Sequence, residues 1–143
     1  MLVTETLSQT VHIPKMEVDI STTGGRIRYY RFQRNLLQKE LAELCGYDRI
    51  TILRYERNDK QHTLESIDKI ANALNIEPAL LYDEYLQFLT NYASTIYNTR
   101  KKMKLSRCEF AKLIGVNKDS IFRWEKGQSQ PFVSNWKKLK LYF

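Results

Sequence analysis

The chain repeats itself once, and this repeat limits the folds that it can adopt. A shift of 69 residues aligns apolar, glycine and charged positions in register over about 30 residues. The aligned pairs are Ile27 and Ile96, Arg31 and Arg100, Leu36 and Leu105, Glu40 and Glu109, Gly46 and Gly115, and Ile52 and Ile121. The run Arg54-Tyr55-Glu56 likewise aligns with Arg123-Trp124-Glu125. Self-similarity of this kind predicts two copies of one structural unit.

The second copy contains a pair of short helices joined by a glycine turn. Residues 108–114 carry Phe110, Ala111, Leu113 and Ile114 at the spacing of one helix face. Gly115 ends this helix, because glycine adopts the left-handed conformation without a steric cost. Asn117 caps the next helix, which extends to about residue 126. Two helices joined in this way are typical of a helix-turn-helix, whose second helix enters the DNA major groove.

The first copy shows the same helical pattern and is longer. Its predicted helices are Ile27–Arg34, Gln38–Cys45, a third from Asp48 to about Arg57, and Leu64–Leu74. In the second of these, Leu44 and Cys45 are expected to face the core with Leu41 and Ala42. A fifth helix is expected to start at Glu77-Pro78. It either runs on, as a long shared helix, into residues 92–103 or breaks briefly before them.

These patterns predict an all-α protein with two tandem helix-turn-helix bundles. The predicted boundaries are an N-terminal extension at residues 1–23, a first domain at 24–89, and a second domain at 90–143. Weak alternation of apolar and polar side chains predicts a strand or a disordered arm for the extension. Because the extension is acidic, it is expected to serve packing or self-association rather than to enter a minor groove.

The distribution of charge favours a polyanionic partner for the second copy. The whole chain has a net charge of +7, whereas residues 90–143 carry twelve basic and three acidic side chains. Residues 25–89 carry ten of each, with the basic side chains concentrated before residue 58. Such a distribution is typical of nucleic-acid binding, although a solvated basic surface would give the same composition.

Other classes of protein lack support in the sequence. No apolar run approaches the length of about 20 residues that spans a bilayer, and the N-terminus lacks the features of a signal peptide. We therefore expect a cytoplasmic protein without a membrane partner, in which Cys45 and Cys108 stay reduced. His12 and His62 are isolated, so no metal or other cofactor is expected. No nucleophile stands in a catalytic pattern, and the chain is not expected to be an enzyme.

The motifs of both copies resemble those of the lambda repressor/Cro-type helix-turn-helix family, also called XRE-like. The first copy supplies R-x6-Q-x-E-L-A-x3-G, running from Arg31 to Gly46. The second supplies E-F-A-x3-G-V from Glu109 to Val116, and then W-E-x-G-x3-P from Trp124 to Pro131. The resemblance implies bundles of up to five helices that bind double-stranded DNA with their second and third helices. The chain departs from the family pattern at Asn58, at His62-Thr63 and at Arg107.

The resemblance also implies roles for individual residues. The residues expected to contact bases are Arg49, Ile50 and Arg54 in the first copy and Lys118, Asp119 and Arg123 in the second. Those expected to contact phosphates are Gln38, Thr51, Arg57, Lys60, Arg107, Ser120, Lys126 and Gln128. The pairs Arg31–Glu56 and Arg100–Glu125 are expected to be buried, structural ion pairs. Leu53 and Phe122 are expected to face outward, either toward thymine methyl groups or toward a partner.

The predicted function is that of a sequence-specific transcriptional regulator of double-stranded DNA, and specifically a repressor. One chain acts either as an intramolecular pseudo-dimer on a non-palindromic site or as half of a homodimer in which only the second copy reads bases. The alternative is a protein-interaction module, such as a DNA-binding antitoxin or an accessory factor of a mobile element. Its protein partner would then dock on acidic residues 58–89 and on the N-terminal extension.

Overall fold

The structure is a computed structural model, and it describes residues 18–143. These residues are helical and contain no strand, which confirms the predicted all-α class. They form two compact units, residues 18–86 and Gln87–Phe143. The strand or arm predicted for residues 1–23 falls mostly on residues 1–17, which lie outside the described part of the chain.

Each unit begins with three helices that correspond between the two copies. The first unit contains α1 (Thr23–Gln33), α2 (Gln38–Cys45), α3 (Arg49–Glu56), α4 (Leu64–Leu74) and a 3-10 turn at Pro78–Leu81. Helix α5 (Glu84–Leu89) spans the boundary between the units. The second unit contains α6 (Tyr92–Lys102), α7 (Arg107–Ile114), α8 (Lys118–Glu125), α9 (Val133–Leu139) and a 3-10 turn at Lys140–Tyr142.

Equivalent positions form the two cores. In the first unit, Ile27, Leu41 and Ile52 are fully buried together with Ile67 and Ile70 of α4. In the second unit, the corresponding buried side chains are Ile96, Phe110, Ile121, Trp136 and Leu139. Burying such a side chain stabilises the fold by about 1.5–3 kcal/mol. Helix α9 therefore has the same packing role as α4, and both cores hold their third helix in place.

The first helix starts earlier than predicted, because Gly24 and Gly25 form its first turn rather than a linker. The side chain of Thr22 caps the helix and accepts a hydrogen bond from Gly25 N at 3.0 Å. A Cβ atom on Gly24 would lie 2.5 Å from the carbonyl oxygen of Tyr55 and 2.6 Å from that of Glu56. Glycine is required here because the start of α1 touches the end of α3.

The long helix that the sequence allowed between the two copies is absent, and two breaks separate the segments. After the 3-10 turn, Tyr82 takes an extended conformation, and the carboxylate of Asp83 then accepts a hydrogen bond from Leu86 N at 2.8 Å. The second break lies between α5 and α6, where Asn91 occupies the N-cap position of α6. The fifth helix predicted to start at Glu77-Pro78 is instead a 3-10 turn at Pro78–Leu81, and α5 begins only at Glu84, so of the two alternatives the interrupted one is observed.

Two leucines predicted to face the core lie outside it. Leu44 is 61% exposed and its counterpart Leu113 is 43% exposed, while Cys45 is half-buried. The buried face of α2 runs from Leu41 to Ala42, and Leu44 lies about 60° beyond Leu41 at about 100° per residue. The apolar pattern therefore overestimated the width of the buried face.

Candidate nucleic-acid interface

In both units, a left-handed glycine joins the second helix to the third. Gly46 has φ = 77° and Gly115 has φ = 83°, a region that side chains with a Cβ rarely adopt. Asp48 then caps α3 by accepting a hydrogen bond from Thr51 N at 2.7 Å, and Asn117 caps α8 through Asp119 N at 2.7 Å. The hydrogen bonds from Thr51 lower the pKa of the Asp48 carboxyl. The turn and the caps together define where each third helix begins.

The apolar side of each third helix is buried, which fixes the direction of its polar side. Ile52 and Tyr55 pack inward from α3, and Ile121 and Trp124 pack inward from α8. All six side chains predicted to contact bases are exposed. They are Arg49, Ile50 and Arg54 on α3 and Lys118, Asp119 and Arg123 on α8. The folded units thus present these six side chains to solvent, while base contact itself stays a prediction.

A buried ion pair ties the end of the first helix to the end of the third in each unit. Arg31 Nε lies 2.6 Å from Glu56 Oε2, and Arg31 Nη2 lies 2.9 Å from Glu56 Oε1. The pair formed by Arg100 and Glu125 has the same geometry, with distances of 2.6 and 3.0 Å. Side-chain exposure in both pairs is 7% or less. Two parallel hydrogen bonds in a buried setting hold the third helix at a fixed angle.

The guanidinium groups also reach the segment before the second helix. Arg31 Nη1 donates to the carbonyl oxygen of Leu36 at 2.8 Å, and Arg100 Nη1 donates to that of Leu105 at 2.9 Å. One arginine therefore positions both helices of each helix-turn-helix. The hydrogen bond to Glu125 raises the pKa of Arg100, so this cation persists at any ordinary pH.

Two of the predicted phosphate contacts touch these buried carboxylates. Gln38 Nε2 donates to Glu56 Oε1 at 3.1 Å, whereas Arg107 Nε donates to Glu125 Oε1 at 3.0 Å. Burial raises the pKa of Glu125, but its hydrogen bonds and charge interactions with Arg100 and Arg107 outweigh this effect and lower the pKa overall. The Arg107 side chain stays 38% exposed, so part of it still faces solvent.

The other predicted phosphate contacts surround the third helices. Thr51 and Ser120 lie in the first turns of α3 and α8 and are half-buried. Those that follow the third helices are exposed, namely Arg57, Lys60, Lys126 and Gln128. Lys60 Nζ lies 5.9 Å from the centre of the Tyr55 ring. Hydroxyl groups and cations on either side of an exposed helix suit the phosphates that border a groove.

A groove lies between the first, second and third helices of each unit, and the two grooves differ in size and charge. The groove of the first unit has a volume of about 280 Å³ and that of the second about 580 Å³. The first is lined by Arg28, Arg31, Gln38, Leu53, Glu56 and Arg57. The second is lined by Tyr97, Arg100, Lys101, Ser106, Arg107, Cys108, Lys118, Asp119 and Phe122. The groove of the second unit therefore has more cations and more aromatic surface.

Within residues 18–143, no group of three or more His, Cys, Asp or Glu side chains is arranged to hold a metal ion. His62 is buried and donates from Nε2 to the carbonyl oxygen of Tyr55 at 3.0 Å. Cys45 and Cys108 are free thiols. His12 lies outside the described residues.

Comparison with known families accounts for both units. A family model described as helix-turn-helix matches residues 27–81 and, a second time, residues 96–140. The chain belongs to the helix-turn-helix family. The two matched segments confirm the predicted tandem copies of an XRE-like domain.

Individual helix-turn-helix proteins resemble about half of the chain. A Neisseria hypothetical transcription factor, from Neisseria meningitidis serogroup B, is 35% identical over 72 residues, which are 48% of this chain and 68% of that protein. The restriction-modification controller protein C.AhdI from Aeromonas hydrophila is a solved structure with 36% identity and a TM-score of 0.42. The match covers 48% of this chain and 100% of the C.AhdI chain. The solved structure of the hypothetical transcription factor NHTF from Neisseria has 27% identity and a TM-score of 0.41. The match covers 55% of this chain and 92% of the NHTF chain.

The positions at which this helix-turn-helix chain departs from its family motif are structurally accommodated. Asn58 has φ = 60°, and Gly127, at the equivalent position, has φ = 70°. The Asn58 side chain also accepts a hydrogen bond from Gly24 N at 2.9 Å. His62 is buried at the position where the second unit has the buried Pro131. Both substitutions lie just after the third helix and help to hold its end.

Sequence reasoning missed the contact of Arg107 with Glu125 and that of Asn58 with Gly24. A signal for the first was present, because the 69-residue shift places Arg107 opposite Gln38, and the spacing of the paired Arg and Glu is the same in both copies. No signal identified the second, since it joins residues 34 apart through a turn whose path the sequence does not specify.

Proposed function

We propose that the chain is a sequence-specific transcriptional regulator that binds double-stranded DNA through α3 and α8 and acts as a repressor. The observation that carries this proposal is the anchoring of both helices. Each is held by a buried apolar side and a buried Arg–Glu pair, and each leaves a basic side in solvent. A helix that reads the major groove needs this combination of a fixed orientation and exposed donors.

We assign base reading to the six exposed side chains named above, with the larger share on Arg54 and Arg123. An arginine pairs with the O6 and N7 atoms of guanine through two hydrogen bonds, which discriminates against other bases by about 1–3 kcal/mol. Both arginines are the sixth residue of their helix and lie on its exposed side.

Phosphate contacts supply the affinity that does not depend on sequence. Gln38 and Arg107 stand at the first position of α2 and α7, where backbone amides and the helix dipole favour an anion. The exposed cations Arg57, Lys60 and Lys126 extend this surface. Residues 90–143 carry a net charge of +9, so the second unit is expected to contribute most of this sequence-independent affinity.

Repression follows from occupancy of the DNA. A chain of this size that covers a promoter blocks access by other proteins and needs no enzymatic step. The name of its relative in Neisseria, a hypothetical transcription factor, supports a regulatory role. We place this activity in the cytoplasm. A reporter gene placed behind the selected site should fall in expression when the chain is supplied, and a rise would identify an activator.

We further infer that one chain reads two unlike half-sites with its two units. Both units keep the anchored third helix and the exposed arginine, but α3 and α8 present different side chains. The alternative is a homodimer in which only α8 reads bases. A protein partner is compatible with either assembly.

The decisive experiment is selection of bound duplexes from a random pool, using the wild-type chain and the variants Arg54→Ala and Arg123→Ala. We expect one enriched asymmetric site in which each variant relaxes the sequence of a different half. Lys69→Ala and Lys112→Ala are matched controls, since each removes an exposed cation outside the proposed interface. A palindromic site that only Arg123→Ala relaxes would support the homodimer, and no enrichment would overturn the proposed function.

A further inference from the structure

The exposed side of α8 includes an apolar residue, Phe122. Ile121 and Trp124 mark the buried side, and the helix turns by about 100° per residue. On this geometry Phe122 lies between Lys118 and Arg123, about 40° from the first and about 100° from the second, and Asp119 lies between Phe122 and Arg123. Phe122 is 41% exposed, so a ligand that meets Lys118 and Arg123 together also meets this ring.

Cations surround the ring on two sides. The guanidinium carbon of Arg107 lies 5.1 Å from the ring centre, and Lys126 Nζ lies 5.8 Å from it. Arg107 is itself held by Glu125 at 3.0 Å, so its position beside the ring is fixed. Because both cations would approach phosphates, the phenyl ring occupies the middle of a surface suited to a polyanion rather than to an apolar protein.

A phenyl ring offers neither a donor nor an acceptor to a base edge. Among the four bases, the only apolar group on the major-groove edge is the 5-methyl group of thymine. The first unit has Leu53 at the equivalent position, where it lines the smaller groove and is half-buried. Both units therefore have an apolar side chain at the same position of the third helix, and the larger and more exposed one is in the second unit.

We propose that Phe122 is a specificity-determining residue of the second unit that contacts the 5-methyl group of a thymine beside the base read by Arg123. This inference rests on the proposed function, since it requires α8 to lie in the major groove. Arg123 then selects its base through hydrogen bonds, and Phe122 selects its neighbour through apolar contact.

The test uses the full chain and the operator obtained by selection. Each thymine of the operator is replaced in turn by deoxyuridine, which removes the methyl group and leaves every hydrogen-bonding group in place. For the wild-type chain we expect about a fourfold loss of affinity at one position, which corresponds to one buried methyl group. For Phe122→Ala we expect no loss at that position and unchanged losses at any other thymine that responds.

Two further variants keep the result interpretable. Phe122→Leu retains an apolar side chain and should keep part of the discrimination between thymine and uracil. Arg123→Ala should bind more weakly but keep that discrimination in full. Thermal unfolding should show that all variants stay folded at the temperature of the binding assay, with a lower midpoint for Phe122→Ala because the ring also contacts Arg107 and Lys126.

The outcomes separate this inference from the proposed function. If the operator is bound specifically but no thymine responds, or if Phe122→Ala still discriminates thymine from uracil, the role of Phe122 is overturned while the proposed function stands. If no duplex is enriched at all, the proposed function fails and the inference fails with it.

Discussion

The two buried carboxylates differ in what compensates their charge. Glu56 has one cation, Arg31, and the neutral amide of Gln38, whereas Glu125 has two cations, Arg100 and Arg107. Loss of Arg31 leaves a buried carboxylate with an amide alone, while loss of Arg100 leaves it with a second guanidinium. A buried charge without a counter-ion is strongly destabilising, so the equivalent substitution should have unequal effects in the two units.

We therefore predict that Arg31→Met destabilises the first unit by about 3–5 kcal/mol and that Arg100→Met destabilises the second by less. Hydrogen exchange of the α3 and α8 amides measures each unit separately in the full chain. In an Arg107→Met background, Arg100→Met should become as costly as Arg31→Met, because residues that share a partner are not additive. Equal effects of the two single variants would contradict this account.

Protonation of His62 should make the stability of the first unit depend on pH. Burial lowers the pKa of this histidine, and a hydrogen bond to Tyr55 and the charge of Asp83 only partly offset that effect. In the unfolded chain its pKa is near the ordinary value of about 6.5. Below that pH the unfolded state binds more protons than the folded state, so stability falls as the pH falls, until the folded-state pKa is passed.

Urea midpoints between pH 5 and pH 8 should thus decline on the acid side for the wild type and decline less for His62→Gln. His12 is present in both proteins, so its own titration cancels in the comparison. The same slope in both proteins would show that His62 is not responsible. Above about pH 7.5 the histidine is neutral in both states, and the two curves should run parallel.

At the scale of elements, the start of α1 and the end of α3 form one joint. Gly24 allows the backbones to touch, and Asn58 accepts a hydrogen bond from Gly24 N. Asn58 also donates to Thr22 Oγ1 at 3.1 Å, so it supports the N-cap of α1. This joint adds to the Arg31–Glu56 pair in fixing α3.

Gly24→Ala should destabilise the first unit despite the better helix propensity of alanine. The gain from propensity is about 0.5–1 kcal/mol, whereas the new Cβ would meet two backbone oxygens that cannot rotate away. Overpacking of this kind costs about 1–3 kcal/mol. Denaturant midpoints measure the sign directly, with Gln33→Ala in the same helix as a control for propensity. A variant more stable than the wild type would show that the two backbones can move apart at this joint with little loss of free energy.

The elements that the sequence predicted well are those governed by local chemistry. Gly46, Gly115, Asp48 and Asn117 end or cap their helices in both copies, so the helix-turn-helix pairs could be located from sequence. The sequence did not decide between a continuous and an interrupted helix after Glu77. A side chain such as Asp83 can either cap a new helix or lie inside a continuous one, and helix propensity separates these two cases only weakly. The partners of Arg107 and Asn58 could not be predicted, since they depend on how separate helices pack.

At the scale of the whole molecule, the two units offer unequal electrostatic support for similar helices. Residues 25–89 are neutral overall, and residues 90–143 carry a net charge of +9. If both units bind DNA, each must neutralise phosphates near its own third helix. Arg57 and Lys126 occupy equivalent positions directly after α3 and α8, and both are exposed. They form a matched pair for testing which units take part.

We predict that Arg57→Ala and Lys126→Ala each reduce the slope of log affinity against log salt concentration by about 0.9, the value for one phosphate contact. The two reductions should add in the double variant, because the residues lie in different units. Lys69→Ala and Lys112→Ala should leave the slope unchanged. If Arg57→Ala has no effect while Lys126→Ala does, only the second unit meets the DNA backbone. Only the basic residues of the second unit would then neutralise phosphates, and a homodimer would be needed to occupy two half-sites.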